Sequence, residues 1–415
     1  MMERRVVITG MGAVSSIGCG MDAFWSGLVA GRNGIGPVTL FDASGLPGSA
    51  GEVRDLQLND VTPKDLRRMI RSTRFAVAAA DEAMRAAGFA RGDAERGGDP
   101  FRFGALFANA SGGVDEYERN FELLAKRGPG AVSAFFMPKF ISNGVAGTLA
   151  IRWGLRGPNF NPVTACASGA HAIGEALWMI RRGDADLMLA GGAEACLTRL
   201  MMSGFHALTA LSRILPPEHA SRPFDLHRDG FVMAEGAGAL VLEELEHARR
   251  RGATILAELA GYGATCDAVH ITGPAPDGAG LSRAMRRALE MAGATHEDVD
   301  AYYAHGTGTV VNDRVEAAAL RAVFGSRTDM LKVTAVKSMI GHAISASGPL
   351  AAAAAIQTLN TGVLPPTVNY ETPDPACPLA GLSDRAAELD ARGVLVGSLG
   401  FGGHNAALLF RRFDG

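Results

Sequence analysis

Two distant segments of the chain end alike. Arg5-Val-Val-Ile-Thr-Gly-Met-Gly12 and Ala253-Thr-Ile-Leu-Ala-Glu-Leu-Ala-Gly-Tyr-Gly263 are apolar runs closed by Gly-x-Gly. Such runs, bounded by glycine, read as buried strands. A second correspondence follows the first. The run 185–194 with its follower 236–244 is matched by 393–403 with 406–410. Helical patterns are predicted at 116–126, 143–150, 280–292 and 313–324, and further strands at 101–108, 299–303 and 333–336. Strands alternating with helices predict an α/β fold, and the recurrence predicts an internal duplication. The charged stretch Glu243 to Arg251 marks the boundary, giving halves 1–251 and 252–415. The first Gly-x-Gly is not read as a dinucleotide loop, because Ser15 stands where G-x-G-x-x-G requires its third glycine.

Composition narrows the class. The 415 residues are 47% hydrophobic and 20% charged, with a net charge of −3, which excludes a disordered chain or a general nucleic-acid binder. Five widely spaced cysteines without C-x-x-C form neither a disulfide framework nor a zinc ribbon, and suit a reducing cytosol. Met1 to Gly10 turns straight into a strand and lacks a signal peptide's apolar core. The run Pro349 to Ile356 is too short to span a bilayer. A cytoplasmic protein with no membrane span is expected.

Chemistry-bearing residues stand where strands end. Cys166 sits in Thr164-Ala-Cys-Ala-Ser-Gly169, directly before an apolar helical pattern at Ile173, Leu177 and Ile180. A thiol at a helix N-terminus feels the positive end of the backbone dipole, so thiolate is expected to be favoured. Taken alone, Cys166 reads sooner as a small buried space-filler. His305 in His-Gly-Thr-Gly-Thr309, and Lys337 with His342 in Lys-Ser-Met-Ile-Gly-His342, alter that balance. A cysteine with a separate histidine is a nucleophile and its partner. Two histidines and a lysine point to more hydrogen-bond work at a carbonyl than one hydrolysis needs. His219, His247 and His296 lie among charged residues and read as exposed. Lys64, Arg67, Arg68 and Arg71 recur at helical spacing after Thr62-Pro63, predicting one basic helix face. That face reads as a solvated surface or as a docking patch for an acidic partner.

These motifs, with Ala190-Gly-Gly-Ala-Glu194, Ser221-Arg-Pro-Phe-Asp225 and Gly400-Phe-Gly-Gly403, resemble those of the condensing enzymes of the thiolase superfamily, specifically the type II β-ketoacyl-[acyl carrier protein] synthases. The resemblance covers essentially the whole chain. It implies a thiolase-like duplicated five-layer α-β-α-β-α fold and a homodimer, or a heterodimer with a homologous chain-length factor. It also implies decarboxylative condensation of malonyl-carrier protein with an acyl chain held on Cys166. His305 and His342 would stabilise the enolate, Lys337 would orient the site with Glu316 as charge partner, and the N–H groups of Cys166 and Phe401 would form the oxyanion hole. Phe401 would also act as a gate, and Thr307, Thr309 and Ser111 would contact the phosphopantetheine substrate. Lys64, Arg67, Arg68 and Arg71 would dock acyl carrier protein. No cofactor is implied beyond the carrier's phosphopantetheine, and no metal ligand.

Four departures bear on detail. Ala351 stands where the family usually has an acid that supports the site and, in some members, a structural cation. Ser111 replaces a bulky aliphatic gate, and His404 replaces a threonine. Val310-Val-Asn-Asp313 resembles the nodulation-factor and aryl-polyene ketosynthases, so the expected pathway is fatty-acid or specialised polyketide elongation. The alternative is a non-catalytic chain-length-determining partner of a ketosynthase heterodimer, which typically lacks the cysteine retained here. Thiolase-type cleavage would need a second cysteine within 393–410, and none is present.

Overall fold

The computed structural model describes residues 4–92 and 98–415. Ten strands build two halves. The first half holds β1 (Val6–Ser15), β2 (Phe103–Ala108), β3 (Asn159–Phe160), β4 (Leu187–Glu194) and β5 (Gly236–Glu244). The second holds β6 (Ala257–Cys266), β7 (Ala301–Tyr303), β8 (Lys332–Thr334), β9 (Gly393–Gly400) and β10 (His404–Arg411). From the junction outward the orders are β1-β5-β4-β2-β3 and β6-β10-β9-β7-β8, the same topology twice. The pairings also agree. The first three strands of each series are antiparallel neighbours, and the last three are parallel. A two-residue contact, Val7 with Glu258 and Ile8 with Ala257, joins the halves.

Helices fill the remaining layers. Helix α1 (Arg71–Ala86) covers β1 and β5, and α4 (Ala279–Met291) covers β6 and β10 in the same manner. Between the sheets lie α3 (Ser168–Arg182) and α6 (Ser347–Thr361), packed on each other. Helices α2 (Val114–Arg127) and α5 (Val310–Phe324) follow β2 and β7 in the chain. The result is the five-layer arrangement expected from the resemblance.

Each sheet is buried on both faces, so its strands read as continuous apolar runs. Period-two geometry then divides each strand between two cores. Leu106 and Ala108 join the central core around Ile173, Leu177 and Ile356, whereas Ala105 and Phe107 join the outer core with Phe75. Leu408 and Phe410 face the centre, while Ala407 and Leu409 face the third core with Leu281 and Met285.

Neither Gly-x-Gly closes its strand: β1 runs on to Ser15 and β6 to Cys266, and the glycines serve packing within the strand instead. A Cβ on Gly10 or Gly12 would come within 2.0 Å of Ala83 O or 1.9 Å of Ala79 O, on α1. On Gly261 or Gly263 it would come within 2.0 Å of Ala288 O or Ala284 O, on α4. The glycines let a helix backbone lie directly on the first strand of each half.

The expected basic helix through 62–74 is two helices. Thr62 caps Pro63–Leu66 in a reciprocal box with Asp65, that helix ends, and α1 begins at Arg71. His247 is buried rather than exposed, with its Nδ1 2.7 Å from Glu243 Oε2. Among the described residues, no helix is long and apolar enough to cross a membrane.

Candidate active site

The centre of the molecule holds two matching turns. Ala165–Ala167 forms a 3-10 turn that runs into α3, and Ile344–Ala346 forms one that runs into α6. Ala165 and Ile344 adopt φ of 52° and 42°. Positive φ is uncommon for residues other than glycine and strained for a β-branched one, so both sharp bends are held by their surroundings. In the first, Ser168 Oγ donates to Ala165 O at 2.6 Å and accepts from the Thr164 N–H at 2.8 Å. Cys166 occupies the middle of this bend, and Ser345 occupies the same place in the second. Each bend packs on the fourth strand of the opposite half, that of Cys166 on β9 and that of Ser345 on β4. The approach is close: a Cβ on Gly400 would lie 2.5 Å from Thr164 O, and one on Gly192 would lie 2.4 Å from Ser345 O.

Cys166, His305, His342, Thr307, Thr309 and Phe401 line one cavity of about 400 Å³. His305 lies two residues past β7, where Glu316 holds its backbone: the N–H groups of His305 and Gly306 donate to that carboxylate at 2.7 and 2.8 Å. Tyr302 donates to it as well, at 2.8 Å. Lys337 Nζ donates to His305 O at 2.6 Å and lies 3.5 Å from His305 Nδ1. His342 Nδ1 lies 2.9 Å from Ser347 Oγ, the first residue of α6. The two imidazoles stand edge-to-face, centroids 5.3 Å apart at 89°.

Burial sets the protonation states. It drives both imidazoles well below their ordinary values, helped by the Lys337 charge, so both are neutral at physiological pH. It lowers Lys337 to about 8, against the pull of Glu316. It lifts Glu316 to about 7. Cys166 is pushed up to about 12 by desolvation, with Lys337 opposing and Glu194 adding to the rise. The expected preference for thiolate is therefore reversed, because a helix terminus supplies less than burial removes. The backbone N–H groups of Cys166 and Phe401 oppose this rise, by less than burial causes it.

Residues 3–248 match the model of the family described as β-ketoacyl synthase, N-terminal domain, and residues 256–371 match its C-terminal domain. The chain belongs to the β-ketoacyl synthase family. It is 43% identical, over 99% of both chains, to 3-oxoacyl-[acyl-carrier-protein] synthase 2 of Staphylococcus aureus strain N315. Among solved structures, it superposes with a TM-score of 0.92 on a type II polyketide acyl-carrier protein in complex with its ketosynthase. The identity there is 33%, over 99% of this chain and 100% of that one. The ishigamide ketosynthase/chain length factor superposes at 0.91, with 37% identity and the same coverage.

Within this β-ketoacyl synthase the sequence-predicted residues divide. Cys166, His305, His342, Thr307, Thr309 and Phe401 share the cavity, with Lys337 buried beneath His305. Glu316 is not in direct contact with Lys337; its oxygens hold the His305 turn. Ser111 lies apart from Thr307 and Thr309, its N–H donating to Glu194 at 3.2 Å. Lys64 and Arg67 are exposed, and Arg68 stacks on Phe135 with its guanidinium 5.6 Å from the ring centroid. Arg71 is committed internally, to the buried Glu235 and to Val53 O.

Three contributors escaped sequence reasoning: Glu194, Ser345 and His171. The last has its Nδ1 2.6 Å from Thr164 Oγ1 and is lowered to about 4, chiefly by burial. A signal for Ser345 existed, since Ser345-Ala-Ser-Gly348 repeats Cys166-Ala-Ser-Gly169 with one change.

Proposed function

We propose that the chain elongates acyl chains by condensing malonyl-carrier protein with an acyl group held on Cys166. One observation carries the reading: the thiol and two neutral imidazoles share a single cavity. Cys166 Sγ attacks the carrier thioester. A new C–S bond forms, the pantetheine C–S bond breaks, and the thiol proton passes to the departing sulfur. The N–H groups of Cys166 and Phe401 hold the tetrahedral oxyanion. Phe401, with Phe205 6.3 Å away, gates the passage between loading and condensation.

Malonyl thioester then binds with its arm along Thr307 and Thr309, whose hydroxyls lie 2.9 Å apart. The Lys337 ammonium donates toward His305 Nδ1, and the Ser347 hydroxyl donates to His342 Nδ1. Each contact leaves the Nε2–H of its imidazole free to donate to the thioester oxygen. Loss of carbon dioxide places the electron pair in an enolate that these two donors stabilise. The enolate carbon attacks the Cys166 thioester, the new C–C bond forms as the Cys166 C–S bond breaks, and the expelled thiolate takes a proton from solvent. The substrates bring the pantetheine, and no step calls for a cofactor or metal. Retention of Cys166 weighs against a purely chain-length-determining role.

The carrier docks through Lys64, Arg67 and Arg68. A second, homologous subunit covers the exposed rings of Phe121, Phe135 and Phe140. The chain divides at 251/252 and works in the cytoplasm, where its acyl donors are charged. Mass spectrometry after incubation with acyl-carrier protein should find the acyl group on Cys166. An unmodified Cys166 with several donors would overturn the reading.

A further inference from the structure

Ser345, in the second bend, has no place in the reaction just described, yet its surroundings connect directly to the first. Its Oγ lies 2.7 Å from Glu194 Oε2 and 3.0 Å from Ala193 O. Glu194 is fully buried at the end of β4. It also accepts from the N–H groups of Ala110 and Ser111, both at 3.2 Å, and from the Asn109 amide at 3.3 Å. Burial raises this carboxyl, but four surrounding donors suit an ionised acceptor. The loop is tied a second time, to the Cys166 side of the site. The Asn109 N–H donates to Asn161 Oδ1 and the Asn161 amide donates to Asn109 O, both at 3.0 Å. Ala110, so held, packs on the apolar cluster that also meets Cys166, Phe205 and Ile344.

We propose that Glu194 and Ser345 are positioning residues for acyl selection: through hydrogen bonds they fix Asn109–Ser111 as a wall of the space beside Cys166, and so set which chains the thiol accepts. The inference rests on Cys166 carrying the acyl group. A single carboxylate fixes two adjacent backbone amides at once, which no amide side chain reproduces: glutamine keeps one acceptor oxygen and turns an N–H donor toward the other amide. A loop so released yields to larger chains. The duplicated bend thus serves the reaction from behind, by holding the pocket rather than by reacting.

The test compares the full-length protein with Ser345→Ala and Glu194→Gln, using a short and a long saturated acyl-carrier donor in competition. The long-to-short ratio of Cys166 acylation should rise about tenfold in Glu194→Gln and about threefold in Ser345→Ala. Decarboxylation of malonyl-carrier protein without acyl donor serves as the control and should change less than the ratio. Equal falls in every rate, with the ratio unchanged, would reduce the pair to structural support and overturn the proposal. Should Glu194→Gln fail to fold, Ser345→Ala decides alone. Hydrogen exchange at the Ala110 and Ser111 amides reads the clamp without any reaction. Exchange should quicken in Ser345→Ala, and unchanged exchange also overturns the proposal. Failure of the wild-type protein to acylate would instead refute the assigned reaction, and the exchange result would remain interpretable.

Discussion

The two central bends have the same backbone and opposite fates. Both put a non-glycine residue at positive φ, both open a buried helix, and both press on a strand from the other half. Cys166 meets the Gly400–Phe401 corner, and beside that corner lies a cavity into which two imidazoles also open. Ser345 meets Glu194, and that carboxylate fills the equivalent space with hydrogen bonds. Duplication therefore supplied two candidate nucleophile positions, and what faces each one decides which can receive substrate. A strained bend at a helix N-terminus is a frame; reactivity comes from the room opposite it.

The sharpest break of this comparison is to exchange the thiol. Cys166→Ala should abolish acyl transfer, a loss of at least about 10⁴-fold. Ser345→Cys, in the wild-type background, should add no second acylated residue, because Glu194 and Ala193 close that site. Peptide mapping by mass spectrometry reads both, and an acylated cysteine at 345 would refute the closed-site account.

Next come the groups that face only the open bend. His305→Ala or His342→Ala removes one donor to the developing enolate and should slow malonyl decarboxylation about 10²- to 10³-fold. Acyl transfer to Cys166 should suffer less, since the proposed mechanism gives that oxyanion to backbone N–H groups. Carbon dioxide release and Cys166 acylation, measured separately on each variant, test that asymmetry. Equal losses in both would show that the imidazoles serve the first step as much as the second.

Paired glycines sharpen the comparison further. A methyl at Gly400 would press on Thr164 O at 2.5 Å, and one at Gly192 on Ser345 O at 2.4 Å. Each alanine variant should lose about 1–3 kcal/mol of stability by overpacking. Only Gly400→Ala moves the bend that carries the thiol, so it should also lose about tenfold or more in acylation rate. Thermal unfolding should fall alike in the two, and acylation should not.

How far the sequence foretold this follows physical lines. The strands were legible because a sheet buried on both faces needs unbroken apolar runs; their ends were not, because the glycines mark where a helix backbone lies on the strand rather than where it turns. Cys166, His305, Lys337 and His342 were legible because each stands in a short glycine-flanked motif at a strand end. The direction of the Cys166 shift was not, since desolvation depends on what packs around the sulfur and not on the helix it opens. Nor was the commitment of Arg71 to Glu235, which lies far along the chain; helical spacing places residues on a face without saying what the face meets. Ser345 was missed because its bend differs from the first at the residue that matters chemically.

The smallest effect belongs to Lys337 and separates function from folding. Burial lowers its pKa to about 8, while the unfolded chain keeps the ordinary value of 10.5. Below 8 both states hold the proton, and above 10.5 neither does. Between them the unfolded chain binds more protons, so this residue's contribution to stability rises with pH across the window. Its contribution to catalysis runs the other way, because the ammonium that donates toward His305 Nδ1 and fixes the Nε2–H tautomer is lost above 8. Decarboxylation by the wild-type protein should therefore fall by up to about tenfold from pH 8 to pH 9. Over the same range its thermal midpoint should rise relative to Lys337→Ala, and that variant should show a lower, flatter rate profile. A wild-type rate that holds level through pH 9 would mean the neutral amine orients His305 as well as the ammonium does, leaving the lysine a steric support beneath the open bend.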